Sequence, residues 1–510
     1  MNQNMSSLEG SLVLIVGLGE TGLAAAQWCA RQGARLRIAD TRAEPAGLDQ
    51  LKSRLTESVS VDWHLGCDVF PDAILEGVSC LVLSPGLSPL LSPVKELLES
   101  ARALGVEVIG EIELFARALA WLRDERSYIP TLLGVTGTNG KTTVTAMTRH
   151  MLAEAGYKVR AAGNISPAAL KALMDALDQD DLPSIWVLEL SSFQLVTTQS
   201  LRFAASVVMN VTQDHLDWHL SMEDYASAKA RIFKMSDVCI VNRDDPVVVG
   251  MVDSLADINV RSFGKEMPLL AGDVGIEASN DVKWLVSAEP AEFDDEIQPT
   301  GRRKKDVPKP ERKPGRMVRL MPVDALAVKG LHNALNCEAA LMLARSAGGK
   351  FADLLRAVRD YHGEPHRMAF VRAIRGVDFY NDSKGTNVGA TVAGLEGLGR
   401  PVVLIAGGVG KGQDFTPLVP VVGMHARAVV LIGQDAHIIR DTLAVCGVSC
   451  IMASDMKDAV RQAFDLATEG QAVLLSPACA SLDMFRNYPH RGEVFVDEVN
   501  ELALEQGEIL

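Results

Sequence analysis

Short apolar runs alternate with longer amphipathic stretches along almost the whole chain. Leu12 to Val16, Leu81 to Leu83, Leu132 to Val135, Tyr157 to Gly163, Ile185 to Leu188 and Ala204 to Asn210 read as buried strands. Val377 to Asn381, Pro401 to Ala406 and Ala472 to Leu475 read the same way. Between them lie helix-competent stretches, among them Lys141 to Ala155, Ser221 to Phe233 and Gly330 to about Ala347. Strands alternating with helices predict mostly parallel sheets with crossover helices, an α/β fold. Ligands of such sheets sit beyond the carboxyl ends of the strands. The pattern divides into three domains, residues 1–109, 110–363 and 364–510. One stretch breaks it. Glu289 to Gln298 is acidic and Gly301 to Arg316 is basic and punctuated by proline. Such a stretch cannot bury apolar area, so residues 289–316 are expected to form a mobile surface insertion, with a small basic nucleic-acid patch as the alternative.

Composition narrows the class. A length of 510 residues suits about three domains, and a formal net charge of −15 offers no basic field for nucleic acid. The eight cysteines include no C-x-x-C pair and read as reduced thiols. The amino terminus lacks a basic region and an apolar core, and no run of about 18 apolar residues occurs. A cytoplasmic protein without a membrane span is expected.

The richest strand end is Gly137-Thr138-Asn139-Gly140-Lys141-Thr142-Thr143, between an apolar strand and a helix. Glycines let backbone N–H groups curl around an anion at the positive end of the next helix. Lys141 would reach the β/γ-phosphates of ATP and Thr142 a Mg²⁺ ion. The match to the P-loop pattern is imperfect, because Val135 stands at its first glycine position. Neighbouring strand ends carry Asn164, Glu189 with Ser191, and Asp214-His215. A carboxylate and a histidine converging beside ATP phosphates make a divalent-metal site. Lys229, in the following helix, reads by itself as an ordinary solvated lysine.

In the first segment, Gly17-Leu18-Gly19-Glu20-Thr21-Gly22 follows a strand, opens a helix, and is followed about 20 residues on by Asp40. That is the dinucleotide fingerprint. On the motif alone a nicotinamide or flavin is favoured, yet a uridine diphosphate meets the same physical terms. In the third segment, strands end at Asp382-Ser383-Lys384, at Gly407 to Gly412 with Lys411, and at Ser476 to Ser481. Basic and hydroxyl groups there suggest a small anionic substrate.

Taken together, G-T-N-G-K-T-T, Glu189 with S-S-F-Q, N-V-T-x-D-H and G-x-H-N-x-x-N resemble the shared centre of the Mur ligases, ATP-dependent amide-bond-forming enzymes of peptidoglycan synthesis. The superfamily also includes folylpolyglutamate synthases. Within it, G-L-G-E-T-G, D-T-R at 40–42, N-D-S-K-G-T-N at 381–387 and S-P-A-C-A-S-L-D-M-F at 476–485 are similar to the D-glutamate-adding branch. The resemblance implies a Rossmann-like UDP-binding domain, a central P-loop ATPase-type α/β domain and a Rossmann-like amino-acid-binding domain. It implies UDP-N-acetylmuramoyl-L-alanine and D-glutamate as substrates, two Mg²⁺ sites, and a monomer with room for contacts to other cell-wall enzymes. Gly19, Thr21, Asp40, Thr41, Arg42, Ser84 and Gly86 would hold the UDP end, with Asn164 and Ser191 near the muramoyl-alanine. Asn333, Asn336, His366, Arg367, Asp382 and Lys384 would surround the nucleotide. Thr386, Lys411, Ser481 and Tyr488 would receive D-glutamate, Tyr488 standing where the family pattern has phenylalanine. Glu189, His215 and a CO₂-derived carbamate on Lys229 would complete the metal sites with Thr142. The stretch Gly363 to Arg367 would be the hinge by which the third domain closes. Readings outside this branch are another Mur or folylpolyglutamate-type ligase, and an NAD-dependent dehydrogenase with an added P-loop domain.

Overall fold

The computed structural model describes residues 8–55, 59–253, 255, 259–290 and 312–508. The N-terminal sheet is wholly parallel, ordered Val61–Leu65, Arg35–Asp40, Leu12–Val16, Cys80–Leu83, Glu107–Ile109. The central sheet is also parallel, ordered Asn259–Phe263, Ser236–Asn242, Phe203–Val208, Thr131–Thr136, Ile185–Glu189, Val159–Gly163. The C-terminal sheet runs Ala369–Ile374, Val377–Asn381, Ala472–Leu475, Val402–Gly407, Ala426–Ile432, Ser449–Met452, with only the first strand antiparallel to its neighbour.

Central strands of all three sheets are buried on both faces, which explains their unbroken apolar sequences. Helices cover those faces, and one continuous apolar cluster joins the first two segments. It contains Ile15 and Trp28 from the first, Phe115 and Leu119 of helix Glu111–Arg126, and Trp186 and Phe203 from the second. Two further clusters lie on opposite faces of the C-terminal sheet.

A fourth sheet, antiparallel, is made of Val274–Ser279, Val282–Glu289 and Arg316–Pro322. Strand–helix alternation carries no signal for it, because it is an excursion from the parallel pattern. Its last two strands are the arms of the charged insertion. Glu289 pairs with Arg316, so both ends of the 289–316 stretch are strand, while residues 291–311 lie outside the described residues. Arg312 is tied down as well, donating to Asp273 Oδ1 at 2.5 Å and Ala271 O at 2.9 Å.

Glycine fixes the first ligand loop. A Cβ on Gly22 would stand 1.9 Å from the Gly17 carbonyl oxygen, where helix Glu20–Arg31 presses onto the loop before it. Gly22→Ala is therefore expected to destabilise the N-terminal region by about 1–3 kcal/mol, the usual cost of overpacking. Denaturant melts followed through Trp28 and Trp63 fluorescence check this; a change below about 0.5 kcal/mol contradicts it.

Candidate active site

The phosphate loop takes the shape its sequence requires. Gly137 (φ 142°) and Gly140 (φ 83°) occupy backbone regions that L side chains rarely adopt, and Gly140 caps helix Lys141–Glu154. Asn210 holds the loop from below: its Oδ1 accepts from Asn139 N at 2.8 Å and its Nδ2 donates to Asn139 O at 3.2 Å. Lys141 folds back over the loop, donating to Gly137 O at 2.9 Å and Thr138 O at 2.8 Å. Burial lowers its pKa against the opposing pull of Glu189 and Asp214.

Lys229 is not the solvated lysine that its helix suggests. It is 1% exposed, donates to Gly137 O at 3.0 Å, and lies 4.2 Å from the centre of the Tyr225 ring. Burial first, then the neighbouring Lys141 charge, push its pKa well below that of a free lysine. Its amine is thereby biased towards the neutral, nucleophilic form.

Glu189 ends its strand at 2% exposure. Asn164 Nδ2 donates to Oε1 at 2.8 Å, while Oε2 is buried without a hydrogen-bond partner. An orphaned carboxylate oxygen beside a phosphate loop fits a divalent cation. His215, in the left-handed region (φ 56°), is lowered in pKa mainly by burial, with Asp214 opposing and Lys141, Lys411 and Lys229 adding. Its neutral form is the one that ligates metal.

A cavity of about 270 Å³ opens between the central and C-terminal segments. Asn139, Gly140 and Thr143 of the phosphate loop line it, with Asn333, Asn336, Arg367, Asp382 and Lys384. His366 is not on that wall; its Nδ1 lies 3.1 Å from Asn381 Nδ2. Asp382 receives Ser476 Oγ at 2.7 Å, and burial raises its pKa to about 7 despite that bond. Burial also lowers Lys384, to about 8, and its Nζ sits 3.8 Å over the Tyr488 ring. Tyr488 therefore adjoins the nucleotide residues. The Gly407–Gly412 and Ser476–Ser481 loops meet through paired bonds between Val409 and Ala480, each 2.9 Å. That brings Lys411 and Ser481 to one edge, beside Thr386, whose N donates to Lys384 O at 2.8 Å.

In the first segment, Thr21 Oγ1 and Ser84 Oγ are 3.3 Å apart, and nothing within 4 Å crowds a Cβ built on Gly19 or Gly86. Asp40, expected at the UDP end, is held within the loop by several hydrogen bonds. Its oxygens accept from Leu18 N at 2.7 Å, Arg42 N at 2.9 Å and the Arg42 guanidinium at 2.8–2.9 Å. Burial raises its pKa, but the Arg42 and Leu18 bonds outweigh that and leave it lowered. Asp40 shapes the glycine loop and aims Arg42, while Thr41 lies between them in sequence. Ser191 is likewise occupied, in a capping box with Gln194 at the start of helix Ser192–Val196.

Sequence reading passed over Tyr225, whose hydroxyl is 3.1 Å from Thr138 Oγ1, and His219, whose Nε2 is 2.8 Å from Ser192 Oγ. Both sit on amphipathic helices, where a buried aromatic is indistinguishable from core. Asn210 and Asp214 lay inside quoted motifs and could have been singled out from their positions at a strand end.

A glycine loop opening a helix, a buried acid, a buried lysine and a cavity between two segments form the candidate centre of an ATP-using α/β ligase. Three family models match: the Mur ligase MurD-like N-terminal domain at residues 11–110, the Mur ligase middle domain at 135–302 and the Mur ligase glutamate ligase domain at 366–479. The chain belongs to the Mur ligase family. It is 62% identical over the full length of both chains to the UDP-N-acetylmuramoylalanine–D-glutamate ligase of Bordetella avium. It is 50% identical, over 99% of each chain, to the enzyme of the same name from Ralstonia nicotianae. Among solved structures, the fold is similar to UDP-N-acetylmuramate-alanine ligase from Thermotoga maritima (TM-score 0.54, 18% identity, 96% of this chain and 99% of that one). It also resembles Mycobacterium tuberculosis folylpolyglutamate synthase bound to ADP (TM-score 0.53, 15% identity, 79% and 98%).

The Asp382 carboxyl yields a pH prediction for the ligand-free protein. Its folded pKa of about 7 lies above the ordinary carboxylate value, so its contribution is full at low pH and is lost as pH rises towards 7. Asp382→Asn removes that loss. The stability of the variant relative to wild type should climb between about pH 4 and pH 7, by on the order of a few kcal/mol, and then level off. Thermal melts across that range check it; a pH-independent difference contradicts it.

Proposed function

We propose that this chain joins D-glutamate to the alanyl carboxylate of UDP-N-acetylmuramoyl-L-alanine, converting ATP to ADP and phosphate. The observation that carries the reading is the convergence of Lys141, Lys229 and the orphaned Glu189 oxygen at one phosphate loop. The high identity to D-glutamate ligases along the whole chain supports the choice of amino acid.

A carboxylate is a poor electrophile, so it must first be activated. Transfer of the γ-phosphoryl group to the alanyl carboxylate gives an acyl phosphate. The amine of D-glutamate attacks its carbonyl carbon, and the tetrahedral intermediate loses phosphate to leave the amide. Lys141 and the loop N–H groups stabilise the charge spread over the transferring phosphoryl oxygens. Thr21, Ser84 and Arg42 bind the UDP end, with Gly19 and Gly86 leaving room for it. Asn164, held by Glu189, lies towards the muramoyl-alanine. Asn333, Asn336, Arg367, Asp382 and Lys384 wall the nucleotide cleft, and Thr386, Lys411, Ser481 and Tyr488 receive D-glutamate. His366 acts from behind that wall, through Asn381.

The neutral amine of Lys229 adds to the carbon of CO₂, forming an N–C bond and releasing one proton, so a buried neutral amine becomes a buried anion. Thr142, Glu189, His215 and that carbamate would hold two Mg²⁺ ions, which would supply positive charge to the phosphates of ATP. Protein ligands are few here, and phosphate oxygens complete such sites.

Phosphate release in the presence of ATP, Mg²⁺ and UDP-N-acetylmuramoyl-L-alanine should depend on D-glutamate over other amino acids, and Lys141→Ala should lower it at least about 10²-fold. Release insensitive to D-glutamate rejects the reading. Lys229→Ala should lose about 10²-fold or more and be partly rescued by millimolar formate, which restores an anion in the vacated space. Equal activity with and without formate counts against a carbamate.

A further inference from the structure

The phosphate loop and the C-terminal segment touch through one side chain that no part of the mechanism has used. Asn387 follows Thr386 directly and caps helix Val388–Leu398, its Oδ1 accepting from Ala390 N at 2.9 Å. Its Nδ2 crosses to the central segment. There it donates to Asn139 Oδ1 at 3.0 Å and to Asp214 Oδ2 at 3.2 Å. Asn139 belongs to the phosphate loop, and Asp214 precedes His215 and accepts its backbone N–H at 2.9 Å. One amide, 5% exposed, thus spans the ATP loop, the candidate metal-binding turn and the start of a C-terminal helix.

The surroundings are built for close approach. A Cβ on Gly389 would meet Thr212 Oγ1 at 3.0 Å and Asn139 Nδ2 at 3.1 Å, tight enough that a larger residue there would push these side chains aside. Gln413 then links the helix to the proposed amino-acid edge, accepting from Val388 N at 3.1 Å and donating to Ala478 O at 2.7 Å. A second cross-contact, Asp414 N to Gln213 Oε1 at 3.3 Å, lies alongside.

We propose that Asn387 is a positioning residue that couples the phosphate loop to the D-glutamate edge, holding Thr386 and its neighbours in register only when the C-terminal segment is docked on that loop. This rests on the ligase reading above. The bond is amide to carboxylate and amide to amide, short-range and partly buried, so its loss is felt in docking rather than in folding.

Asn387→Asp separates the two roles of the residue. A carboxylate caps a helix as well as an amide does, but it cannot donate and it faces Asp214. The expected result is an unchanged melting midpoint, unchanged affinity for UDP-N-acetylmuramoyl-L-alanine, and kcat/KM for D-glutamate lowered about tenfold or more. Wild-type kinetics in Asn387→Asp overturn the proposal, and so does a loss confined to stability. Adding Asp214→Asn restores a donor opposite the new carboxylate. The double variant should exceed the product of the two single effects at least about fivefold, and simple multiplicativity overturns the coupling. Small-angle scattering with a non-hydrolysable ATP analogue gives a readout independent of turnover. Wild type should be more compact than Asn387→Asp, and equal compaction overturns the proposal. If the wild-type protein releases no phosphate in response to D-glutamate, the ligase reading fails, and the scattering comparison still decides the coupling.

Discussion

Two lysine amines share one backbone carbonyl. Lys141 and Lys229 both donate to Gly137 O, at 2.9 and 3.0 Å, in a buried setting that lowers the pKa of each. Two ammonium groups cannot both stay charged there without an anion between them. The loop therefore asks for phosphate on one side and discharges Lys229 on the other. The rest of the centre follows from that constraint, including a buried glutamate with one unsatisfied oxygen and a histidine kept neutral.

The scaffold exists to keep this crowding in place. Parallel strands buried on both faces fix Gly137, Glu189 and Asn210 at one sheet edge with little freedom. Apolar packing shared between the first two segments leaves their relative position firmly set. The third segment meets the central one through polar contacts around Asn387, through helix Val388–Leu398 packed on helix Leu331–Ser346, and along the cavity between them.

Much of this was written in the order of residues along the chain. The parallel strands, the glycine loops and the helix after each loop are local consequences of apolar runs and of glycine at strained positions. The central strand ends that carry Asn164, Glu189 and His215, and the helix of Lys229, were legible on the same grounds. The hydrogen bonds that these residues make within the fold could not be read this way. Asp40, expected at the UDP end, bonds Leu18 and Arg42. Ser191, expected near the muramoyl-alanine, also caps a helix with Gln194. His366 stands behind the wall it was expected to form.

The sequence by itself determined the α/β architecture, the phosphate loop and the family, because these depend on periodicity and on short motifs whose chemistry is contained in a few adjacent residues. Tertiary structure alone decided that Lys229 is buried, that Glu189 keeps one bare oxygen, and that Asn387 reaches Asn139 and Asp214. It also decided that an antiparallel sheet brackets the charged insertion. Burial, unsatisfied hydrogen bonds and contacts across more than a hundred residues are properties of how elements pack, and no local pattern encodes them.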